Sequence, residues 1–159
     1  MSYRVSRDGS AWSAVQTLSP GPDFTLAHLR VAARTVDESF AGFGLWNSQD
    51  GGQQNPPVTT KGKGTATLTF DTTKKKLSWN VKYSGLSGPA TAAHIHGPAA
   101  KGENADPVIP FKKVKSPIKG TATLTDAQAA DLEAGKYYVN VHTKANAGGE
   151  IRGQIEKAM

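Results

Sequence analysis

Thr65-Ala66-Thr67-Leu68-Thr69-Phe70 and Leu77-Ser78-Trp79-Asn80-Val81-Lys82-Tyr83 decide how this chain folds. In the first run, Ala66, Leu68 and Phe70 alternate with three threonines. In the second, Leu77, Trp79, Val81 and Tyr83 alternate with Ser78, Asn80 and Lys82. Successive side chains of a strand point to opposite faces, so each run buries one face and wets the other. Asp71-Thr72-Thr73-Lys74 between them reads as a turn, and the two runs as an antiparallel hairpin.

Downstream the same grammar continues. Gly85 to Pro89 is a loop, followed by a strand through Thr91-Ala92-Ala93-His94-Ile95-His96. Gly97 to Asp106, rich in Gly, Pro, Ala and Asn, is a second loop, and Val108 to Phe111 a short strand. Lys119 to Thr125 repeats Lys63 to Thr69 letter for letter. Either two strands share one half-buried pattern, or two halves of a sandwich are pseudo-symmetric. Thr125-Asp126-Ala127-Gln128 has the form of a capping box. It predicts one short helix near residues 126–133, stopping at Gly135 and crossing from one sheet to the other. A strand Tyr137–Thr143, a tight Asn146-Ala147-Gly148-Gly149 turn and a last strand Glu150–Ile155 complete the pattern. Seven or so short strands with turns between them predict an all-β fold, a Greek-key β-sandwich.

Composition agrees. With 159 residues, 37% of them hydrophobic and many Gly, Thr and Pro, the chain suits one all-β domain plus a tail. It has no cysteine, which excludes disulfides, thiolate ligands and a cysteine nucleophile. No apolar run approaches the ~20 residues of a membrane span, and no signal peptide is visible. The net charge of +6 reads either as solubility from a lysine-coated sheet or as attraction of anions. Nucleic acid is not expected, because Lys74-Lys75-Lys76 and Lys112-Lys113 are short and have no interleaved aromatics. Residues 1–60 contain no lysine, whereas residues 61–159 contain 14. On that break residues 1 to about 50 read as a foreign or poorly ordered leader, and 51–159 as the domain. Within the leader, Leu26, Leu29 and Ala33 would line a short helix, Phe40 to Trp46 a strand or apolar loop, and His28 is not expected to be a ligand.

Three of the four histidines carry the chemistry. His94 and His96 stand at i and i+2, so they project together while Ala93 and Ile95 point inward. In Tyr137–Thr143 the apolar Tyr137, Val139 and Val141 go inward, which sends Tyr138, Asn140 and His142 outward. Three imidazoles on the outside of a sheet would make a three-nitrogen metal site with open positions, as copper or catalytic zinc uses. Asn140, Glu103, Asp106 and Glu150 are candidates to orient an imidazole. Arg152 either presents a fixed positive charge to an anion or pairs with Glu150.

The combination of Gly64 to Leu68, Leu77 to Leu86, Thr91 to Ala99, Gly120 to Gly135, and Tyr138 to Thr143 through Gly149 to Gln154 resembles the CHRD domain family, over about residues 53–156. The resemblance implies a secreted or periplasmic location. The His-x-His strand and the late histidine strand are in turn similar to the copper-ligand strands of Cu,Zn superoxide dismutases, which implies a superoxide dismutase-like sandwich (Ig-like in broad class). By that analogy His94, His96 and His142 bind copper, with zinc as the alternative, and Arg152 guides an anion. No histidine lies between His96 and His142, so the zinc subsite of those enzymes is absent, as are their cysteines. The resulting expectation is a copper-binding protein in extracytoplasmic copper handling or redox chemistry, not primarily an enzyme. The alternatives are a metal-free extracellular interaction module with an acidic or protein partner, and a copper-only superoxide dismutase.

Overall fold

The computed structural model describes residues 42–157 and, ahead of them, two short strands, Ser2–Tyr3 (β1) and Gln16–Thr17 (β2). β1 and β2 pair antiparallel within a unit of residues 1–36. His28 and the helix expected around Leu26, Leu29 and Ala33 lie outside the described residues. A second unit, Asp37–Met159, holds the rest.

Its strands are β3 (Gly42–Asp50), β4 (Lys63–Asp71), β5 (Lys76–Ser84), β6 (Ala90–His96), β7 (Pro107–Pro110), β8 (Ile118–Thr123), β9 (Tyr138–Thr143), β10 (Ile151–Gln154) and β11 (Glu156–Lys157). The helix α1, Asp126–Glu133, lies between β8 and β9. The strands form one antiparallel sheet in the order β7-β6-β9-β10-β3-β4-β5-β8, with β11 also on β3. The all-β class with one short helix is thus what forms. The two halves of the sandwich are parts of a single sheet, continuous through the pairing of Arg152 with Asp50. They enclose one core: Ile95, Val139, Val141 and Ile151 belong to the same buried cluster as Leu45, Leu68, Phe70, Trp79 and Val81. Burying each such side chain contributes ~1.5–3 kcal/mol relative to exposure.

The β4–β5 hairpin has the register its alternation demands. Ala66 faces Val81, Leu68 faces Trp79 and Phe70 faces Leu77, all buried. The repeated heptad sits on both sides of β5, in β4 and in β8. In β8 its glycine, Gly120, lies opposite Trp79, and a Cβ there would come within 2.5 Å of the Trp79 ring. Trp79 also stacks on Phe111, just past β7, with centroids 4.9 Å apart. Gly120→Ala is therefore expected to cost ~1–3 kcal/mol of stability by overpacking, measurable as a shifted midpoint in denaturant.

The helix is capped as its sequence indicates. Thr125 Oγ1 accepts from the Gln128 N–H, and Gln128 Oε1 accepts from the Thr125 N–H. At its other end Gly135 has φ +70°, Lys136 N–H donates to Asp131 O and Gly135 N–H to Leu132 O. This is the glycine-dependent Schellman closure.

One strand of the sheet comes from the stretch ahead of residue 51. β3, Gly42–Asp50, lies inside the sheet and pairs with β4 along its whole length, from Gly42 opposite Asp71 to Asp50 opposite Lys63. Its buried positions alternate strictly, but they are Leu45, Asn47 and Gln49. Two amides on the buried face erase the apolar period that would announce a strand. Asn47 Nδ2 donates to Gly153 O and Gln49 Nε2 to Asn47 Oδ1, while Gln49 Oε1 is buried without a partner.

Candidate metal centre

β6 and β9 are neighbours, with Ala92 opposite His142, His94 opposite Asn140 and His96 opposite Tyr138. Ala93, Ile95, Val139 and Val141 enter the core, so the three histidines share the other face. The small side chain of Ala92 leaves space across from His142, and His94 and His142 become diagonal neighbours. Ring centroids are 5.4 Å apart for His94 and His96, 5.0 Å for His94 and His142, and 5.7 Å for His96 and His142. The face is the expected one, but the rings are not surface groups. His96 is 6% exposed and His142 8%, and only His94 is partly open to solvent.

Two backbone carbonyls set the tautomers. His96 Nδ1 lies 2.9 Å from Ala105 O, and His142 Nδ1 lies 2.9 Å from Ala147 O. A carbonyl only accepts, so both Nδ1 atoms carry the proton and both Nε2 atoms present a lone pair. His142 Nε2 meets His94 Nδ1 at 3.2 Å. His96 Nε2 is buried and has no hydrogen-bond partner. A buried acceptor left unpaired costs ~1–3 kcal/mol, and a cation among the three rings would satisfy it.

One nitrogen from each ring lies within 4.8 Å of the others. Bonds of ~2.0–2.1 Å require nitrogens about 3.3–3.6 Å apart in a tetrahedral or trigonal site. The His94–His142 pair, at 3.2 Å, is close to that separation, and His96 completes the set within 4.8 Å. All three residues are held below the ordinary histidine pKa. Burial is the main cause for each, reinforced at His94 by the neighbouring His142. At His96 and His142 the carbonyl bonds oppose burial without overcoming it. Neutral imidazole is the form that binds a metal.

The loop between β6 and β7 is fastened over His96. Ala105 N–H donates to Tyr138 Oη and Tyr138 Oη–H to Ala105 O, so one residue anchors both Tyr138 and His96. The Tyr138 ring stacks on His96, centroids 5.0 Å apart and planes 11° apart. Arg152 Cζ lies 3.4 Å from the Tyr138 ring centroid. Its guanidinium donates to Glu103 O at 2.6 Å and to Asn104 Oδ1 at 3.1 Å. Arg152 is only 2% exposed. The pair with Glu150 is not formed; the oxygens that hold the guanidinium are neutral, so its positive charge is fixed beside Tyr138 and acts on His96. The guanidinium ties the 101–106 loop to β10.

The carboxylates singled out from the sequence do not orient the imidazoles. Glu103 Oε2 accepts from the Ala100 N–H, and Glu150 binds Thr60, Ser87 and Thr143. Asn140 bonds the Gln54 amide at 2.7 Å and the Gly148 carbonyl at 3.3 Å, which steadies the turn bearing Ala147 O. Gly149 in that turn has φ +126°, and a Cβ there would lie 2.4 Å from Asn140 Oδ1, so only glycine fits. Tyr138 and the carbonyls of Ala105 and Ala147 are the functional parts that side-chain patterning missed. Tyr138 was on the histidine face in the sequence, but nothing marked it as a support.

Residues 48–155 match the CHRD domain family. The chain belongs to the CHRD family. It is similar to chordin from Xenopus laevis, 31% identical over 110 residues, which cover 64% of this chain and 12% of that protein. No solved structure matches it. Among the described residues of this CHRD protein, no helix is long and apolar enough to cross a membrane.

Proposed function

We propose that this CHRD domain binds one copper ion through His96 Nε2, His142 Nε2 and, once its proton is released, His94 Nδ1, outside the cytoplasm, in copper handling or redox chemistry. The observation that carries the reading is the buried, unpartnered lone pair of His96, aimed from a tautomer fixed by Ala105 O. The donor set is three neutral imidazoles without thiolate, which suits copper and zinc, and copper(II) binds nitrogen sites more strongly than the other divalent first-row metals. When bound, copper would supply a one-electron couple. The protein's part is to hold the three rings neutral, aligned and largely dry, with the side at His94 left partly open. Chordin's name and the family match support placing the domain outside the cell.

Titration of chelator-treated protein with copper(II) and with zinc tests this. One equivalent of copper per chain, displacing zinc, is the expected result. No stoichiometric uptake of either metal would end the proposal.

In this reading Arg152 positions the site and does not steer a substrate. Loss of an outer partner of a metal ligand typically costs 10–100-fold in affinity, and Arg152→Ala is expected to weaken copper binding by about 10-fold. Arg152→Lys should weaken it too, because an ammonium cannot reproduce the two-point hold on Glu103 O and Asn104. Both losses should persist at high salt. A lysine variant equal to wild type, or a loss that salt abolishes, would return Arg152 to a long-range electrostatic role.

A further inference from the structure

The outward face of β3, β4, β5 and β8 lies on the opposite side of the sheet from the core, on strands other than β6 and β9, which carry the histidines. Its cross-strand register aligns Trp46, Thr67, Asn80 and Lys119 in one row. The next row sets Ser48, Thr65 and Lys82 side by side. Trp46 is 50% exposed, and it is the exposed large hydrophobic side chain among the described residues. Lys63 and Lys82 flank a hollow of about 250 Å³ that Thr65 and Ser84 also line. Three acids share this face: Glu156 of β11 stands opposite Trp46, Asp50 opposite Lys63, and Asp71 opposite Lys76. Lys63, Lys76, Lys82 and Lys119 outnumber these acids, so the face carries a net positive charge beside an aromatic platform and a field of hydroxyls.

Each component has a matching group on one class of ligand. An indole face stacks against the C–H face of a sugar ring. Threonine and serine hydroxyls exchange hydrogen bonds with sugar hydroxyls. Lysines are mobile point charges that suit carboxylates spaced along a chain, whereas a planar bidentate anion would call for arginine. The strands run side by side ~4.8 Å apart, so the Trp46–Lys119 row spans about three such spacings, room for several linked sugars. An acidic peptide would satisfy the lysines but has no use for the stacking platform and hydroxyl rows. A nucleic acid would favour arginine and more than one stacking ring.

We infer that this face binds an acidic, uronate-bearing polysaccharide, independently of the metal site. The experiment is a titration of the full chain, chelator-treated, with alginate oligosaccharides. Neutral cello-oligosaccharides, polyglutamate and duplex DNA serve as comparison ligands. Expected is saturable alginate binding that weakens with salt, that is not matched by the neutral sugar, and that drops at least 10-fold in Trp46→Ala and in Lys82→Gln/Lys119→Gln. His96→Phe should bind alginate as wild type does. Circular dichroism of the surface variants checks that they are folded. Absence of alginate binding, an unaffected Trp46→Ala, or polyglutamate or DNA binding as tight as alginate would overturn the inference.

Discussion

Replacing His96 with phenylalanine is expected to lower copper affinity at least 100-fold while leaving the metal-free protein no less stable. The two effects have separate physical sources. A four-ligand metal site is worth roughly 10–16 kcal/mol in apparent binding. One ligand then accounts for about 3 kcal/mol, two orders of magnitude in affinity. In the metal-free fold, His96 Nε2 is a buried acceptor with nothing to accept from. Phenylalanine removes that unpaired atom and keeps a flat ring against Tyr138, where His96 now stacks at 5.0 Å. The Ala105 carbonyl loses the Nδ1–H donor but retains Tyr138 Oη–H at 3.2 Å. His142→Ala should lose affinity to a similar degree but also destabilise, because it empties a buried site and leaves Ala147 O without its donor. Isothermal titration read beside denaturant midpoints separates the cases. A His96→Phe variant that binds copper within 3-fold of wild type would remove His96 from the site. A large stability loss in that variant would show His96 to be a packing residue.

What could be read in the sequence was whatever side-chain period encodes. The β4–β5 hairpin was legible because its alternation is purely apolar against polar, and the register of Leu68 with Trp79 follows directly. The shared face of His94, His96 and His142 was legible for the same reason, since Ala93, Ile95, Val139 and Val141 fix which way the strands turn. β3 was legible only in its first half, where Phe40 to Trp46 read as a strand or an apolar loop; beyond it Asn47 and Gln49 occupy the buried face and hide the period, Asn47 being satisfied by a partner as distant in sequence as Gly153 O. The depth of the site was illegible too. Whether a face away from the core is wet depends on the loops that cover it, and loop 97–106 is held down by Arg152, Tyr138 and a contact from Asn104 Nδ2 to Asn55 O. The groups that fix the imidazole tautomers are backbone carbonyls, and a carbonyl has no residue type by which a sequence could announce it.

Glu150→Ala is expected to destabilise the domain by about 3 kcal/mol or more at neutral pH. Its carboxylate is fully buried, and each oxygen accepts two hydrogen bonds. Oε1 takes them from Thr60 Oγ1 at 2.6 Å and the Ser87 N–H at 2.7 Å, and Oε2 from Ser87 Oγ at 2.6 Å and Thr143 Oγ1 at 2.7 Å. Alanine leaves the Ser87 N–H with no acceptor and unties three segments that meet at this end of the sheet. For a domain of this size the loss corresponds to a melting temperature lower by roughly 10 °C. The pH dependence identifies the cause. Burial by itself would raise the carboxyl pKa, but the four donors outweigh it and hold it at about 2, below its ordinary 4.5. A depressed folded-state pKa means that the unfolded chain takes up the proton first. The contribution is therefore complete above pH 4.5 and is lost as the pH falls toward about 2. Wild type should lose this stability on acidification through that window, while Glu150→Ala lacks that acid-sensitive contribution, so the gap between the two narrows as pH falls. A gap that is constant from pH 7 to pH 2.5 would mean that Glu150 acts by packing alone. Thr143 follows His142 directly, and its hydroxyl accepts from the Asn146 N–H at the start of the turn that presents Ala147 O. The same variant should therefore loosen the His142 ring, so its copper affinity should fall even at temperatures where it remains folded.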